Sequence, residues 1–465
     1  LALVGVFTVA RAPFAFAVTG RLALLIAAGI PGLLVVAGRA RRGDRASRAL
    51  LGFVAASVVS AALSPAVVQS LKASQGSSTS VLVFALVAGW WGLGTVLTPV
   101  GRRYLPWVLV GSLAANAVIG MLQIGMNIES GLFATFPGRA SGFLVNPVHF
   151  GSFGAGVTCL AIAKAIERPG GPWVPVAAAS TFATALSGSR IALAVVILAT
   201  LVAFAVARPR VRAAWTAAAV AAGVAAATGF TTVFAPSSRG YGTIGRLSTG
   251  ESGDARRQVW AYGFDAFLER PLFGWGLGGF GPATWSRYSL DFVVSTGWND
   301  EAQPWTDPHN FLVLLLTTGG LVGVGLAAWF VVEALRTGAD FGLLAFVLGV
   351  GATWSMQPAS IDTLPIVMLV FGAAIVPRID WIGTGRRAGG SRALVSLTIA
   401  AGIALAAFTV VADRRLHDAF TARDLPAMES AAGWFLHDPV VTDFVADQFE
   451  AAHLAGYDTA ERGVE

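Results

Sequence analysis

The chain has 465 residues, of which 55% are hydrophobic and only 12% are charged, and its net charge is +6. A soluble protein carries about 25% charged residues, so the composition excludes an ordinary soluble enzyme. Apolar runs of about 20 residues recur from end to end, and this length is what a helix needs to cross a bilayer. The sequence therefore predicts an all-α, polytopic membrane helix bundle with the plasma membrane as its location.

Hydropathy predicts about 12–13 membrane spans, one long extracytoplasmic loop and a short helical soluble tail. The expected spans cover residues 1–18, 22–38, 49–66, 79–98, 104–124, 147–165, 173–187, 190–207, 213–233, 309–335, 341–358, 363–377 and 393–411. Arg11 and Pro13 interrupt the first of these. A shortened first helix, followed by an outer loop from Arg11 to Arg21, fits equally well.

Arginine-rich loops orient the bundle. The loop at 38–48, "GRARRGDRASR", is the most basic, and short basic loops stay in the cytoplasm. Alternation then places 101–104, 208–212, the Arg336 loop and 383–392 on the same side. The long loop at 234–308 and the tail from 412 onward lie on the extracytoplasmic side.

These boundaries give two domains. Residues 1–411 form the membrane bundle, including the loop at 234–308, and residues 412–465 form the helical tail. The tail resembles a helix-hairpin repeat of tetratricopeptide type, with Pro439 opening its second helix and Gly456 closing it. One repeat is rarely stable alone, so we expect a longer natural tail. The chain begins with Leu1, which indicates a trimmed N-terminus, and internal spans are expected to direct membrane insertion.

The long loop contains an amphipathic helix, "GDARRQVWAYGFDAFLER" at 253–270. Asp254 is the expected N-cap, and Pro271 follows the end of the helix. Arg256 and Trp260 are four residues apart and therefore share one face. Taken alone, this helix fits a membrane-surface segment with arginines that reach lipid headgroups.

Further polar groups lie at the same membrane level. Arg139 and Asn146 stand in "PGRASGFLVNPVHF", Arg190 stands in "SGSRIAL", and His309 and Asn310 open the apolar run "PHNFLVLLLTTGGLVG". A lone histidine at a helix end usually has a structural role. A lone arginine at the end of a membrane span usually extends its side chain to the membrane–water interface. Cations clustered at one level of a membrane protein more often mark a site for an anion.

These four motifs, in this order around a long outer loop, resemble the O-antigen ligase and polymerase superfamily, the membrane glycosyltransferases of Wzy and WaaL type. The family patterns are an Arg and a Gly before an "NPN"-like helix start, "SR" after a short span, Arg-x₃-Trp before a Gly-rich turn, and "HN" opening a helix. The chain departs from them twice. The second Asn of "NPN" is replaced, with His149 nearby. Thr318 stands where the family commonly has an acidic residue late in the "HN" helix.

The resemblance implies a metal-independent transfer of a saccharide from a polyprenyl-pyrophosphate carrier at the extracytoplasmic face. It implies that His309 is the catalytic base and that arginines bind the pyrophosphate. The substrate-binding residues expected on this basis are Arg139, Arg190, Arg256, Arg257, Asn310, Trp260 and Asn146. Asp300, Glu301 and Asp307 are candidates to orient His309 or to contact sugar.

The expected partners are the lipid-linked glycan donor, a glycan, lipid or protein acceptor, and membrane lipid. No nucleic acid, metal or cofactor is expected. The principal alternative is a polysaccharide flippase or other transporter, for which inverted repeats and polar residues at mid-span are typical. A second alternative is a non-catalytic scaffold that presents the tail, in which case His309 would be dispensable.

Overall fold

A computed structural model describes residues 18–72, 79–126, 138–144, 146–168, 171–207, 210–235, 252–295, 305–375 and, with gaps, 400–432. Within these ranges the chain forms α-helices, short 3₁₀ turns and one isolated β-bridge. The α-helices are α1 Val18–Arg41, α2 Arg45–Ala62, α3 Val67–Lys72, α4 Val81–Thr95, α5 Pro99–Met126, α6 Pro147–Glu167, α7 Trp173–Leu186, α8 Arg190–Val206, α9 Arg210–Phe234, α10 Ser252–Glu269, α11 Phe280–Thr284, α12 Leu290–Ser295, α13 Phe311–Leu335, α14 Phe341–Thr353, α15 Leu364–Ala374 and α16 Leu425–Ala432.

The predicted all-α membrane bundle is confirmed. Each predicted span between 22 and 377 coincides with one helix. Among the described residues, six helices are long and apolar enough to cross a membrane, namely α1, α2, α5, α6, α9 and α13. The shorter apolar helices there are α4, α7, α8, α14 and α15. The first and last predicted spans fall mainly outside the described residues, as does the second helix of the predicted tail repeat.

Small residues allow the closest helix contacts. A Cβ atom on Gly32 of α1 would lie only 1.9 Å from the carbonyl oxygen of Gly89 on α4, and one on Gly372 of α15 would lie 2.2 Å from the carbonyl oxygen of Trp91. Helices in membranes associate mainly through such close backbone approach, because lipid provides no hydrophobic driving force between them. The glycines therefore fix α1, α4 and α15 side by side.

One end of the bundle, which we call the basic end, carries the predicted cytoplasmic loops at 38–48 and 101–104 and the Arg336 loop, whereas the loop at 383–392 lies outside the described residues. Arg102 at the start of α5 donates to the carbonyl oxygens of Thr95 and Ile375, where α4 and α15 end. Lys164 near the end of α6 pairs with Asp340 before α14 at 3.1 Å. Alternate helices thus begin and end here, as the arginine pattern predicts.

The opposite end, which we call the polar end, carries Arg21, His149, Ser187, His309 and Asp362. Each of these residues stands at or beside the terminus of a helix whose other terminus is at the basic end. The sequence-predicted site and the basic loops are therefore separated by the length of the bundle.

The span predicted at 309–335 is not continuous, which corrects the sequence interpretation. α13 is broken at Gly320, whose backbone has φ 62° and ψ −167°. The carbonyl oxygens of Thr317 and Thr318 cannot bond within the helix at this break. They accept instead from the amides of Trp275 and Gly276, in the Gly-rich turn that follows α10.

The second half of α13 is bonded to the same turn. The amides of Leu321 and Val322 donate to the carbonyl oxygens of Pro271 and Leu272. Irregular backbone beside a membrane is stable only where such groups are paired within the protein. The turn therefore completes the broken helix and fixes α10 against it.

The amphipathic helix predicted in the long loop is present as α10. It begins at Ser252, so Asp254 lies inside the first turn and the predicted N-cap is wrong. Its buried face includes Val259, Ala266 and Phe267. The helix packs on α13 rather than lying free on the membrane surface, because the hydroxyl of Thr317 donates to the carbonyl oxygen of Gly263 at 2.9 Å.

Candidate functional site

His309 stands immediately before α13, in a backbone conformation that is rare for a residue with a side chain. Its φ is 55°, in the left-handed region. Asn310 caps the helix, and its side-chain oxygen accepts from the amides of Leu312 and Val313 at 3.0 and 3.1 Å. Left-handed non-glycine residues cost about 1–3 kcal/mol and concentrate at functional sites. The cap and the strained turn together fix the backbone that carries the imidazole.

Asp307 holds His309 in place through both backbone and side chain. Its carboxylate accepts from the His309 amide at 2.5 Å and lies 3.8 Å from Nδ1, and its carbonyl oxygen lies 3.2 Å from Nδ1. Both groups facing Nδ1 are acceptors, so we assign the proton to Nδ1. The lone pair is then on Nε2, which is the nitrogen able to receive a proton.

The electrostatic surroundings keep His309 neutral at pH 7. Burial lowers the pKa of His309 to about 4, the bond to Asp307 opposes this shift, and the charges of Arg256 and His149 add to it. Burial raises the pKa of Asp307 to about 6, against the lowering effects of the His309 amide and of His149. At neutral pH the pair is therefore an uncharged imidazole beside a carboxylate, which is the base form.

α10 supplies the predicted partners of His309. The indole N–H of Trp260 donates to the carbonyl oxygen of Pro308 at 2.8 Å, so this residue positions the histidine turn. Arg256 lies one turn earlier, is half-buried, and acts electrostatically on His309. Arg257 is exposed. The helix therefore presents Arg256, more than its neighbour, to the histidine.

Aromatic side chains enclose this side of the site. The ring of Trp305 lies 5.2 Å from the His309 ring between centroids, and Phe292 lies 6.4 Å from Trp305. Phe292 is buried with Val259 and Leu314 in a small apolar cluster. The aromatic cluster lowers the local polarity, which is why burial dominates the pKa of His309.

The other sequence-predicted residues lie where α6, α7 and α8 meet at the polar end. Arg139 donates through Nε to the carbonyl oxygen of Ser187 at 2.9 Å. Asn146 caps α6 by accepting from the amide of Val148 at 2.8 Å. Arg190 is the first residue of α8, after the N-cap Ser189. Asn146 and Asn310 are thus both helix caps, and the convergence of Arg190 with His309 stays a prediction.

The structure also contains a buried ionic cluster that the sequence did not identify. Asp362, in the turn between α14 and α15, accepts from Arg21 at 2.5 Å and contacts Nδ1 of His149 at 2.6 Å. Arg21 also donates to the carbonyl oxygen of Phe143. Burial would raise the pKa of Asp362, but Arg21 and His149 outweigh that effect and hold the pKa well below its usual range. The carboxylate is therefore ionised at any physiological pH.

An apolar groove begins next to His309. A cavity of about 440 Å³ is lined by apolar residues from Phe311 at the start of α13 to Leu335 at its end. At the end of the cavity near His309, the rings of Phe84 and Trp354 pack against the ring of Phe311. Leu348, at its edge, is exposed on the surface of the bundle. The groove thus joins the histidine turn to the lipid-facing side.

Part of the sequence matches the model of a known protein family. No curated protein matches the sequence. Residues 175–328, about a third of the chain, match a family model described as O-antigen ligase. The matched range runs from α7 into α13 and includes Arg190, Arg256 and His309, so the sequence resemblance is confirmed. The protein is a multi-pass membrane protein whose residues 175–328 match the O-antigen ligase family model.

Proposed function

We propose that the protein transfers a saccharide from a polyprenyl-pyrophosphate carrier to an acceptor hydroxyl at the extracytoplasmic face, with His309 as general base and no metal ion. The observation that carries the proposal is the placement of His309. A neutral imidazole, fixed by Asp307 and facing the cation Arg256, stands at the head of an apolar groove. Such a site offers a base, an anion-binding group and a lipid contact together.

The chemical step follows from this arrangement. The acceptor O–H gives its proton to Nε2 of His309 as its oxygen bonds to the anomeric carbon. The bond from that carbon to the pyrophosphate oxygen breaks, and the electron pair leaves with the pyrophosphate. Negative charge then develops on the leaving group, where an arginine guanidinium stabilises it by bidentate hydrogen bonds. An anion beside His309 would also favour its protonated form.

The arginines share the pyrophosphate in this proposal. Arg256 is the first contact, because it already acts on His309. Arg190 at the start of α8 and Arg139 beside Ser187 complete the anion site from the other wall, and Arg257 is the weaker neighbour of Arg256. Trp260, Asn146 and Asn310 contribute by fixing the turns that carry these groups, in addition to any sugar contact.

The groove supports a lipid-linked donor over a soluble nucleotide sugar. Its lining is apolar and includes residues near both ends of α13, from Phe311 to Leu335. A polyprenyl chain lying there would leave its pyrophosphate beside His309. The acceptor, whether a growing glycan, a lipid or a protein, follows the same chemistry, since each presents a hydroxyl.

The broken helix α13 is a feature that transporters share, because interrupted spans often bind ions. Here the four backbone groups at the break, on Thr317, Thr318, Leu321 and Val322, are each bonded to the turn that follows α10. Their hydrogen bonds are therefore made within the protein, and these groups do not offer a site for a transported ion. This favours a rigid support for the catalytic turn over a transport site.

The test is transfer by purified protein in liposomes, with a defined polyprenyl-pyrophosphate-linked saccharide as donor. His309→Ala should lower kcat by about 10²–10⁴-fold while donor binding persists, because losing a general base acts on the chemical step. Arg256→Ala should weaken donor binding as well as turnover. Arg256→Lys should recover only part of both, since lysine lacks the planar fork.

Two neighbouring substitutions serve as controls. Gln258→Ala, at an exposed position of α10, should behave as wild type. Arg257→Ala should cost less than Arg256→Ala, because Arg257 is the more exposed of the pair. Near-wild-type transfer by His309→Ala would remove the catalytic role and leave His309 as a polar residue at a helix start.

A further inference from the structure

His149 is held by the buried cluster in a fixed orientation that the proposed reaction does not yet use. Its Nδ1 faces the carboxylate of Asp362 at 2.6 Å and the hydroxyl of Ser360 at 3.2 Å. Asp362 accepts only, so the proton between them belongs to Nδ1. Second hydrogen bonds of this kind fix the tautomer and the ring plane of a histidine.

The other ring nitrogen of His149 makes no hydrogen bond to the described residues. Nε2 is nevertheless buried. Buried polar atoms are nearly always bonded, and an exception calls for a reason. With Nδ1 carrying the proton, Nε2 presents a lone pair and needs a donor.

His149 lies near the histidine turn. It is close enough to Asp307 and His309 to contribute electrostatically to the pKa of each. His149 therefore approaches the histidine turn from α6, whereas Arg256 approaches it from α10. Hydrogen bonds join α6 and α13 at this level: the Phe311 amide donates to the carbonyl oxygen of Trp354, and the neighbouring Thr353 donates to Ser152, three residues after His149.

The charge balance of the cluster selects the ligand chemistry. Arg21 already neutralises Asp362, and both side chains are almost fully buried, at 0% and 9% exposure. Arg21 and Asp362 therefore form a neutral pair, and an uncharged ligand group adds no further buried charge beside them. The lone pair of a neutral Nε2 repels phosphate oxygens, because they are hydrogen-bond acceptors as well. A hydrocarbon chain offers it no hydrogen-bond donor. A hydroxyl group is the remaining donor in the proposed substrates.

We propose that Nε2 of His149 accepts a hydrogen bond from a hydroxyl group of a saccharide in the site, with Asp362 as the residue that positions the imidazole. The inference rests on the proposed function. It assigns a sugar-binding role to a residue outside the matched family range of 175–328. The saccharide belongs either to the donor or to the acceptor, and the two have the same chemistry at this nitrogen.

His149→Asn is the discriminating substitution. The asparagine amide can keep a bond to Asp362 in the place of Nδ1, but it carries nothing in the place of Nε2. We expect the KM of the saccharide-bearing substrate to rise about threefold to tenfold, which is the worth of one hydrogen bond between neutral groups. We expect kcat to change much less. A rise in the KM of the acceptor places the hydroxyl there, and a rise in the KM of the donor places it on the transferred sugar.

Two further measurements separate the possible failures. Polyprenyl pyrophosphate without sugar should bind His149→Asn and wild type equally, and weaker binding would make His149 a phosphate contact and overturn the proposal. His149→Gln, which can return a polar atom near the place of Nε2, should recover part of the affinity. It also serves as the test if His149→Asn does not fold, as judged by its thermal unfolding in detergent.

The remaining outcomes would assign a different role to His149 or count against the proposed function. A loss of kcat as large as that of His309→Ala, with unchanged KM, would make His149 a proton-transfer group instead. Unchanged kcat and KM in both variants would leave the cluster with a structural role only. Absence of transfer by the wild-type protein would count against the proposed function itself, and binding of the sugar-free lipid would still report on His149.

Discussion

At the scale of single residues, the backbone of His309 is as informative as its side chain. A φ of 55° is a conformation that glycine adopts readily and that a Cβ atom disfavours. The strain is maintained by the bond that the His309 amide donates to Asp307 and by the bonds that the first amides of α13 donate to Asn310. An imidazole kept at this position against a local cost is consistent with selection for chemistry rather than for stability.

A pair of substitutions measures this cost. His309→Gly and His309→Ala both remove the imidazole, but only alanine keeps a Cβ atom in the left-handed conformation. An alanine there costs about 1–2 kcal/mol, and the greater freedom of glycine in the unfolded chain offsets part of this difference. We expect His309→Gly to be the more stable of the two by about 1 kcal/mol, measured by thermal unfolding in detergent, and both to be inactive. Equal stability of the two variants would contradict a left-handed residue at this position.

At the scale of elements, the junction between α13 and the Gly-rich turn supports the site. The turn at 271–276 bonds to both halves of α13. It also reaches the turn that follows α2, because the hydroxyl of Ser64 donates to the carbonyl oxygen of Trp275 at 2.5 Å. α10 carries Arg256 and leads directly into this turn, so its position relative to His309 depends on the junction.

Substitution of Gly320 tests the junction. Its φ and ψ lie in a region that is essentially restricted to glycine, and a Cβ atom there would lie 2.4 Å from the carbonyl oxygen of Leu272. Gly320→Ala should therefore destabilise the protein by about 2–4 kcal/mol and reduce transfer. Gly325→Ala is the matched control in the same helix, where a Cβ atom meets nothing within 4 Å. It should leave the stability unchanged or raise it by up to about 1 kcal/mol. A similar stability of both variants would argue against the break.

The sequence predicts the helices better than it predicts this junction. Hydropathy is a property of whole runs, so each span between 22 and 377 is recovered within a few residues. The break at Gly320 depends on bonds to a turn that lies more than 40 residues earlier, and an apolar run gives no sign of such a partner. The available signals were the Gly319–Gly320 pair and the glycines of "PLFGWGLGGF".

The same reasoning applies to the candidate site. His309, Arg256 and Trp260 are predictable because each stands in a short local motif that resembles a family pattern. The contact between Arg21 and Asp362 joins residues 341 positions apart, so no local pattern reveals it. A signal for Asp362 was nevertheless present: it is the only charged residue between Phe341 and Val376. An isolated carboxylate in an apolar stretch needs a partner.

At the scale of the whole molecule, the two ends of the bundle differ in kind. The basic end is held by side chains that cover helix termini, such as Arg102 on Thr95 and Ile375 and Lys164 on Asp340. The polar end holds the two histidines, the buried Asp362 cluster and the head of the apolar groove. This separation agrees with a protein whose arginine-rich loops set its orientation and whose chemistry takes place on the other side.

The orientation of the bundle in the membrane can be tested by labelling, and we expect the polar end to face the extracytoplasmic side. The wild-type cysteine, Cys159, is buried in α6, so Cys159→Ala gives a background without a reactive thiol. In that background, Ser355→Cys introduces a thiol at an exposed position of the polar end, and Arg336→Cys introduces one at an exposed position of the basic end. The positive-inside rule places Arg336 in the cytoplasm. A membrane-impermeant maleimide added to intact cells should therefore label Ser355→Cys, and it should label Arg336→Cys only after permeabilisation. The reverse pattern would place His309 in the cytoplasm, where it could not meet a saccharide presented at the outer face.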